Sequence, residues 1–210
     1  MLVYGLYIIF NLNAMQKDID FLYEVGRMRF MQRAWQRFFL TKVANDTEHT
    51  FRVMWLALLI ANKEKKGNQE RIMKLALAHD ISESRSMDVD YMSRQYVKRN
   101  EEQAVHDTLS GTTFEKEFIE LSKEMEKRET IEAKIVKDAD NLDIDLELME
   151  QRETNEKLFQ SKTRGRKKVI PPKLFTATAK KMFKEIYLSD VNGWHANSKQ
   201  NRYRTSDWHK

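Results

Sequence analysis

The 210-residue sequence contains no cysteine, two prolines and six glycines. Without thiols, disulfides, thiolate nucleophiles and thiolate metal sites are excluded, so any metal must rest on histidine and carboxylate. Scarce proline and glycine leave little punctuation for a multi-stranded sheet. A run long enough to span a bilayer is missing too: "MLVYGLYIIFNLNAM" is apolar but short, with neither the basic residues that precede a signal segment nor a small-residue cleavage site. These absences predict a cytoplasmic protein with no membrane partner. Met15 is either an alternative start or the edge of the domain, which makes residues 1–14 an N-terminal extension and residues 15–210 a single domain with a C-terminal helix and a polar tail.

What the chain does have is Lys, Glu, Leu, Ala and Met, all good helix formers, and 41% apolar residues, enough for one sizeable core. An all-α fold follows. The net charge of +5 comes from 37 basic and 32 acidic side chains that are mostly interspersed, so it favours an anionic partner only weakly.

Helical periodicity predicts a first helix over Lys17–Met31, then a pattern break at "RAWQRFFLTKVAND". Asn45 or Asp46 caps a deeply buried helix that stops at Gly67, and Asn68 caps "QERIMKLALAHDISES". After an irregular stretch near Arg85–Tyr91, a helix is expected at Glu101–Leu109. Thr112 and Glu115 suggest a capping box, and Thr130 starts "IEAKIVKDADNLDIDLELME". "SKTRGRKKVIPPK" reads as a basic loop before a last amphipathic helix bearing Leu174, Phe175, Met182, Phe183, Ile186 and Tyr187.

Three of these helices place an ionisable residue on an apolar stripe. His49 precedes Val53, Leu56 and Ile60; His79 follows Ile72, Leu75 and Ala76, with Asp80 one step around; and Asp140 lies between Val136 and Ile144. A lone histidine on such a stripe is more often a hydrogen-bonded core residue, Asp80 alone could turn to water, and Asp140 could join an acidic face with Asp138, Asp143 and Asp145. Together, two imidazoles and two carboxylates directed inward form a coherent ligand set for one divalent ion such as Mn, Co, Fe, Mg or Zn. Such an ion activates water for hydrolysis. Glu83, one turn beyond His79, is then a candidate proton-transfer group, its bland alternative being a surface acid.

These residues resemble the HD-domain metal-dependent phosphohydrolases, whose H…HD…D signature is matched by His49, His79-Asp80 and Asp140. "NDTEHTFRV", "LALAHDISE" and "EAKIVKDADNLD" carry the likeness, which covers roughly Met15–Met149. Glu83 followed by Asp88 is similar to the 5'-deoxynucleotidase group, which releases phosphate from deoxyribonucleoside 5'-monophosphates. The resemblance implies metal ligation by His49, His79, Asp80 and Asp140, acid or base work by Glu83, and contact of Asp88 with the sugar. It also implies nucleotide contact by Trp35 and phosphate binding by Arg33 or Arg37, because the position of the group's arginine is held by Ala34. Met87 stands where relatives often have glycine. A nucleoside monophosphate is the implied substrate. A homodimer is suggested by relatives and by the apolar face of the last helix, and nucleic acid is the less favoured partner. The alternative function is a nucleotide- or nucleic-acid-binding helical protein with little catalysis, motivated by "KTRGRKKVIPPK" and "RYRTSDWHK".

Overall fold

The structure, a computed structural model, describes residues 2–39 and 41–196, and for residues 2–14 the backbone alone. The elements are helical: α1 (Leu2–Arg27), α2 (Asp46–Glu64), α3 (Gln69–Ala78), the single turn α4 (Glu83–Ser86), α5 (Glu101–Leu109), α6 (Glu115–Lys127), α7 (Ile131–Arg152), α8 (Glu156–Val169), α9 (Ala177–Ile186) and the short α10 (Gly193–Ala196). Among the described residues the only extended pairing is an isolated bridge between Gln32 and Asn45. No helix among them is long and apolar enough to cross a membrane. The "RYRTSDWHK" segment lies outside the described residues.

Helix α7 is the hub, packing against α2, α3, α6, α8 and α9. Its Ile135, Val136, Leu142 and Leu148 are wholly buried against Val53, Ile60, Ile72 and Leu75 of α2 and α3. Each such side chain contributes about 1.5–3 kcal/mol relative to exposure. Local signals set where the helices start. Asn45 accepts from Glu48 N while Glu48 accepts from Asn45 N, a complete capping box, and Asn68, Asn100, Thr130, Asn155 and Thr176 cap α3, α5, α7, α8 and α9.

Several sequence expectations are corrected. The first helix begins at Leu2 and ends at Arg27. Helix α2 stops at Glu64, with Lys65 rather than Gly67 as its left-handed cap (φ 55°), and only one side of it is buried: Phe51 and Trp55 are 64% and 62% exposed. Helix α3 ends at Ala78, so His79 to Ser82 form tight turns instead of continuing the helix. The Thr112 box is absent, because Thr112 Oγ1 donates to Leu109 O and Glu115 accepts from Gly111 N. "SKTRGRKKV" is not a loop but the body of α8. Its Lys and Arg side chains favour helix, and Arg166 gains a buried anchor in Asp145, which also accepts from Tyr187. The apolar face of α9 (Ala179, Phe183, Ile186) is buried within the chain.

No acidic face exists on α7. Asp138, Asp143 and Asp145 are all buried, each with partners that make burial affordable. Asp138 accepts from Phe175 N, Thr176 N and Thr176 Oγ1, and so ties the start of α9 to α7.

Candidate active site

Helices α2 and α7 and the turn after α3 converge on one polar cluster inside this apolar frame. The α2 stripe delivers His49, 1% exposed, and α7 delivers Asp140. Helix α3 ends just before His79, and the near-helical turn that follows presents His79 and Asp80 together toward α2. The Nε2 atoms of His49 and His79 lie 3.3 Å apart. Asp80 Oδ2 lies 3.1 Å from His79 Nε2 and 3.6 Å from His49 Nε2, and Asp140 Oδ1 lies 3.4 Å from His49 Nε2.

Both rings are oriented from behind. His49 Nδ1 is 2.6 Å from Asp143 Oδ2, and His79 Nδ1 is 2.7 Å from Ala76 O. Each Nδ1 faces an acceptor and each Nε2 faces the cluster, so the Nδ1-protonated tautomer of either ring would present Nε2 to a metal. The second Asp143 oxygen takes the Nε–H of Arg52, which also donates to Glu150 (2.6 Å). His49, His79 and Asp140 therefore form a group whose donor atoms could hold a cation, and the donor set fits a divalent ion of borderline or hard character.

The electrostatics are those of crowded opposite charges. Burial disfavours the charged form of His49, but hydrogen bonding to Asp140 and Asp143 outweighs it and raises the pKa to about 10. Asp140 goes the other way: despite burial, Lys137 and His49 hold it well below the usual carboxylate range. Asp80 is likewise lowered against its burial, by His79 and then Arg33.

A second group of carboxylates, Asp46, Glu83 and Asp88, adjoins the first. Arg33 reaches into both, with Nη1 2.8 Å from Asp80 Oδ2, 3.6 Å from Glu83 Oε2 and 3.8 Å from Asp46 Oδ1, and with Nε 3.6 Å from Asp88 Oδ2. Asp88 is fixed by Ala34 N, which donates to Oδ2 (2.8 Å). Glu83 is buried and lies 3.4 Å from Arg99. Burial, then the charges of Asp80 and Asp88, push its pKa up to about 9. Asp46 is wholly buried, neither of its oxygens has a hydrogen-bond partner, and burial lifts its pKa to about 6.

His49, His79, Asp80, Asp140, Glu83, Asp88 and Arg33 are thus gathered in one place. Trp35 and Arg37 are not. Trp35 packs edge-on against Phe39 at the core, and Arg37 is 65% exposed, pairing with Asp90 and Ser93. Of the two candidate arginines only Arg33 enters the cluster. The residues missed by sequence reasoning are Asp143, Asp46 and Arg99. Spacing held a clue for two of them, since Asp143 lies one helical turn after Asp140 and Asp46 one turn before His49. Arg99 comes from the irregular segment before α5, where no periodicity marks a side chain as inward.

The HD domain profile matches residues 25–178, and the chain belongs to the HD-domain family. Among curated relatives, a 5'-deoxynucleotidase of Danio rerio is 32% identical over 145 residues, covering 66% of this chain and 72% of the relative. One of Bos taurus is 30% identical over 145 residues, covering 66% and 70%. The crystal structure of a predicted metal-dependent phosphohydrolase from Magnetospirillum magnetotacticum superposes with a TM-score of 0.66 at 19% identity, over 83% of this chain and 91% of that one, a likeness of fold.

Proposed function

We propose that the protein is a metal-dependent phosphomonoesterase that releases phosphate from nucleoside 5'-monophosphates, deoxyribonucleotides included. The observation that carries this reading is the pair of imidazoles whose Nδ1 atoms are both committed and whose Nε2 atoms face each other between Asp80 and Asp140. That arrangement brings two imidazole nitrogens and two carboxylates within reach of one cation. His49, His79, Asp80 and Asp140 would hold a divalent ion, which when bound supplies Lewis acidity toward a phosphoryl oxygen and acidifies water. Membership of the HD-domain family and similarity to 5'-deoxynucleotidases support the substrate class.

The chain's own residues do the rest. Arg33 offers planar guanidinium donors to the phosphate dianion, and the carboxylates of Asp80 and Asp88 hold it in place. Glu83, which keeps its proton at neutral pH, donates it to the departing 5'-oxygen. Asp88, anchored by Ala34 N, faces the sugar. Asp143 keeps His49 in the tautomer that points Nε2 inward.

A phosphate-release screen tests the proposal. Purified protein freed of metal is offered ribo- and deoxyribonucleoside 5'-monophosphates with Mn, Co, Mg and Zn in turn. Release that depends on the ion supports it, and no release with any ion refutes it.

A further inference from the structure

The 3-10 turn Ala34–Phe38 and the loop 88–93 run side by side and are fastened at three points. Ala34 N donates to Asp88 Oδ2 (2.8 Å). Arg37 Nη1 donates to Ser93 Oγ (2.9 Å) and lies 3.4 Å from Asp90 Oδ2. The rings of Phe38 and Tyr91 stack with centroids 5.2 Å apart and planes 22° from parallel. The inner end of this pair of strips, Arg33 and Asp88, belongs to the acidic cluster. Its outer end is aromatic.

Phe38 is the fixed partner of the stack. It packs partly into the core, and Lys162 of α8 places its ammonium 4.6 Å from the ring centroid. Tyr91 is 66% exposed, and one face of its ring stacks on Phe38. An ordered aromatic ring with exposed surface, braced from behind, is the usual form of a platform for a nucleobase, because every base has a π-face to stack whatever its edge groups. The reach is suitable. The three residues from Asp88 to Tyr91 span at most about 10 Å of chain, a distance that the sugar and base of a nucleotide held at Arg33 and Asp88 can cover.

We infer that Tyr91, braced by Phe38, is the base-stacking subsite of the nucleotide pocket. The inference rests on the nucleotidase reading of the adjoining cluster and adds a specificity element to it. The subsite reads the presence and area of an aromatic base rather than its hydrogen-bonding edge, so purine nucleotides are held more tightly than pyrimidine ones. Arg37 serves this subsite by fastening the loop, not by binding phosphate.

The test is equilibrium binding by calorimetry in metal-free buffer, where turnover does not interfere, with deoxyadenosine monophosphate and 2-deoxyribose 5-phosphate as probes. Stacking on an exposed ring corresponds to about a 10-fold preference for the base-bearing ligand in the wild type. Tyr91→Ala is expected to reduce that ratio to less than about 3-fold and Tyr91→Phe to preserve it, with Phe38→Leu intermediate because the brace is lost. An unchanged ratio in Tyr91→Ala overturns the inference, as does equal binding of the two probes, or of neither, by the wild type. Failure of the nucleotidase reading is separate: it appears as absent phosphate release from the metal-loaded wild type while the base-dependent binding persists.

Discussion

Replacing Asp143 by asparagine separates a positioning role from a structural one. The carboxylate is 1% exposed and serves two donors with its two oxygens, His49 Nδ1 at 2.6 Å and Arg52 Nε. An amide is nearly isosteric but offers one acceptor oxygen, so one donor is left facing an N–H. A buried donor without its partner costs about 1–3 kcal/mol, and the partly exposed Arg52 can recover some of this from water whereas His49 cannot. Stability should therefore fall by about 1–2 kcal/mol. The effect on metal is expected to be larger than on fold: loss of the carboxylate behind a ligating imidazole weakens metal affinity by about 10- to 100-fold. The assay is titration of Mn into the metal-free protein by calorimetry, alongside thermal denaturation of the same samples. Arg52→Ala is the control, since it leaves the Asp143–His49 contact intact and should change affinity by less than about 3-fold. If the asparagine variant is destabilised but binds metal within about twofold of the wild type, Asp143 merely braces two helices and the orientation argument fails.

Met87 adopts φ 60° and ψ 155°, a region suited to glycine, and its side chain is 64% exposed. Met87→Gly should thus raise stability by about 1 kcal/mol in denaturant titration, the relieved strain exceeding the added chain entropy of glycine; destabilisation would show the backbone to be unstrained there. Asp145→Ala leaves Arg166 and the Tyr187 hydroxyl without their shared acceptor, and a loss of about 3–5 kcal/mol in urea unfolding is expected, against less than about 1 if α8 docks through apolar contacts alone. Arg33→Ala should lower kcat/KM for monophosphates by at least about 100-fold while Arg37→Ala changes it by less than about 5-fold, and the reverse order would transfer the phosphate to Arg37. The Arg85 pair depresses the Glu24 pKa, and a depressed acid stabilises the fold above its unfolded pKa. That contribution, about 0.5 kcal/mol for a partly exposed pair, is lost as pH falls through the folded value. The stability gap between wild type and Glu24→Gln should accordingly close as pH falls below the ordinary glutamate range, and a gap that widens there would reverse the sign of the linkage.

Much of the architecture was legible because it depends on nearest-neighbour rules. Asn45, Asn68 and Thr130 announced helix starts, and the stripes through His49, His79 and Asp140 announced which side chains turn inward. What failed was where long-range partners decide. "SKTRGRKKV" looked like a solvated loop because nothing nearby reveals that Arg166 meets Asp145. Asp138 and Asp143 looked like surface acids for the same reason: their partners, Thr176 and His49, lie far along the chain. His79 and Asp80 sit at the site although α3 ends before them, since the turn keeps near-helical geometry (His79 φ −60°, ψ −36°), and a pattern built on helical spacing still points the right way. The choice between Arg33 and Arg37 could not be read from spacing, because the 3-10 turn that starts after Arg33 carries Arg37 to the opposite end of the strip.

The central claim is that four side chains from three separate segments hold a metal on which phosphomonoester hydrolysis depends. Its most direct test measures metal content and phosphate release together, in wild type and Asp140→Ala, after chelation and graded return of Mn. Activity that returns in step with bound metal in the wild type, with neither in the variant, is the expected result. Phosphate release that persists in the metal-free protein, or a variant that turns over substrate with its metal lost, would contradict it.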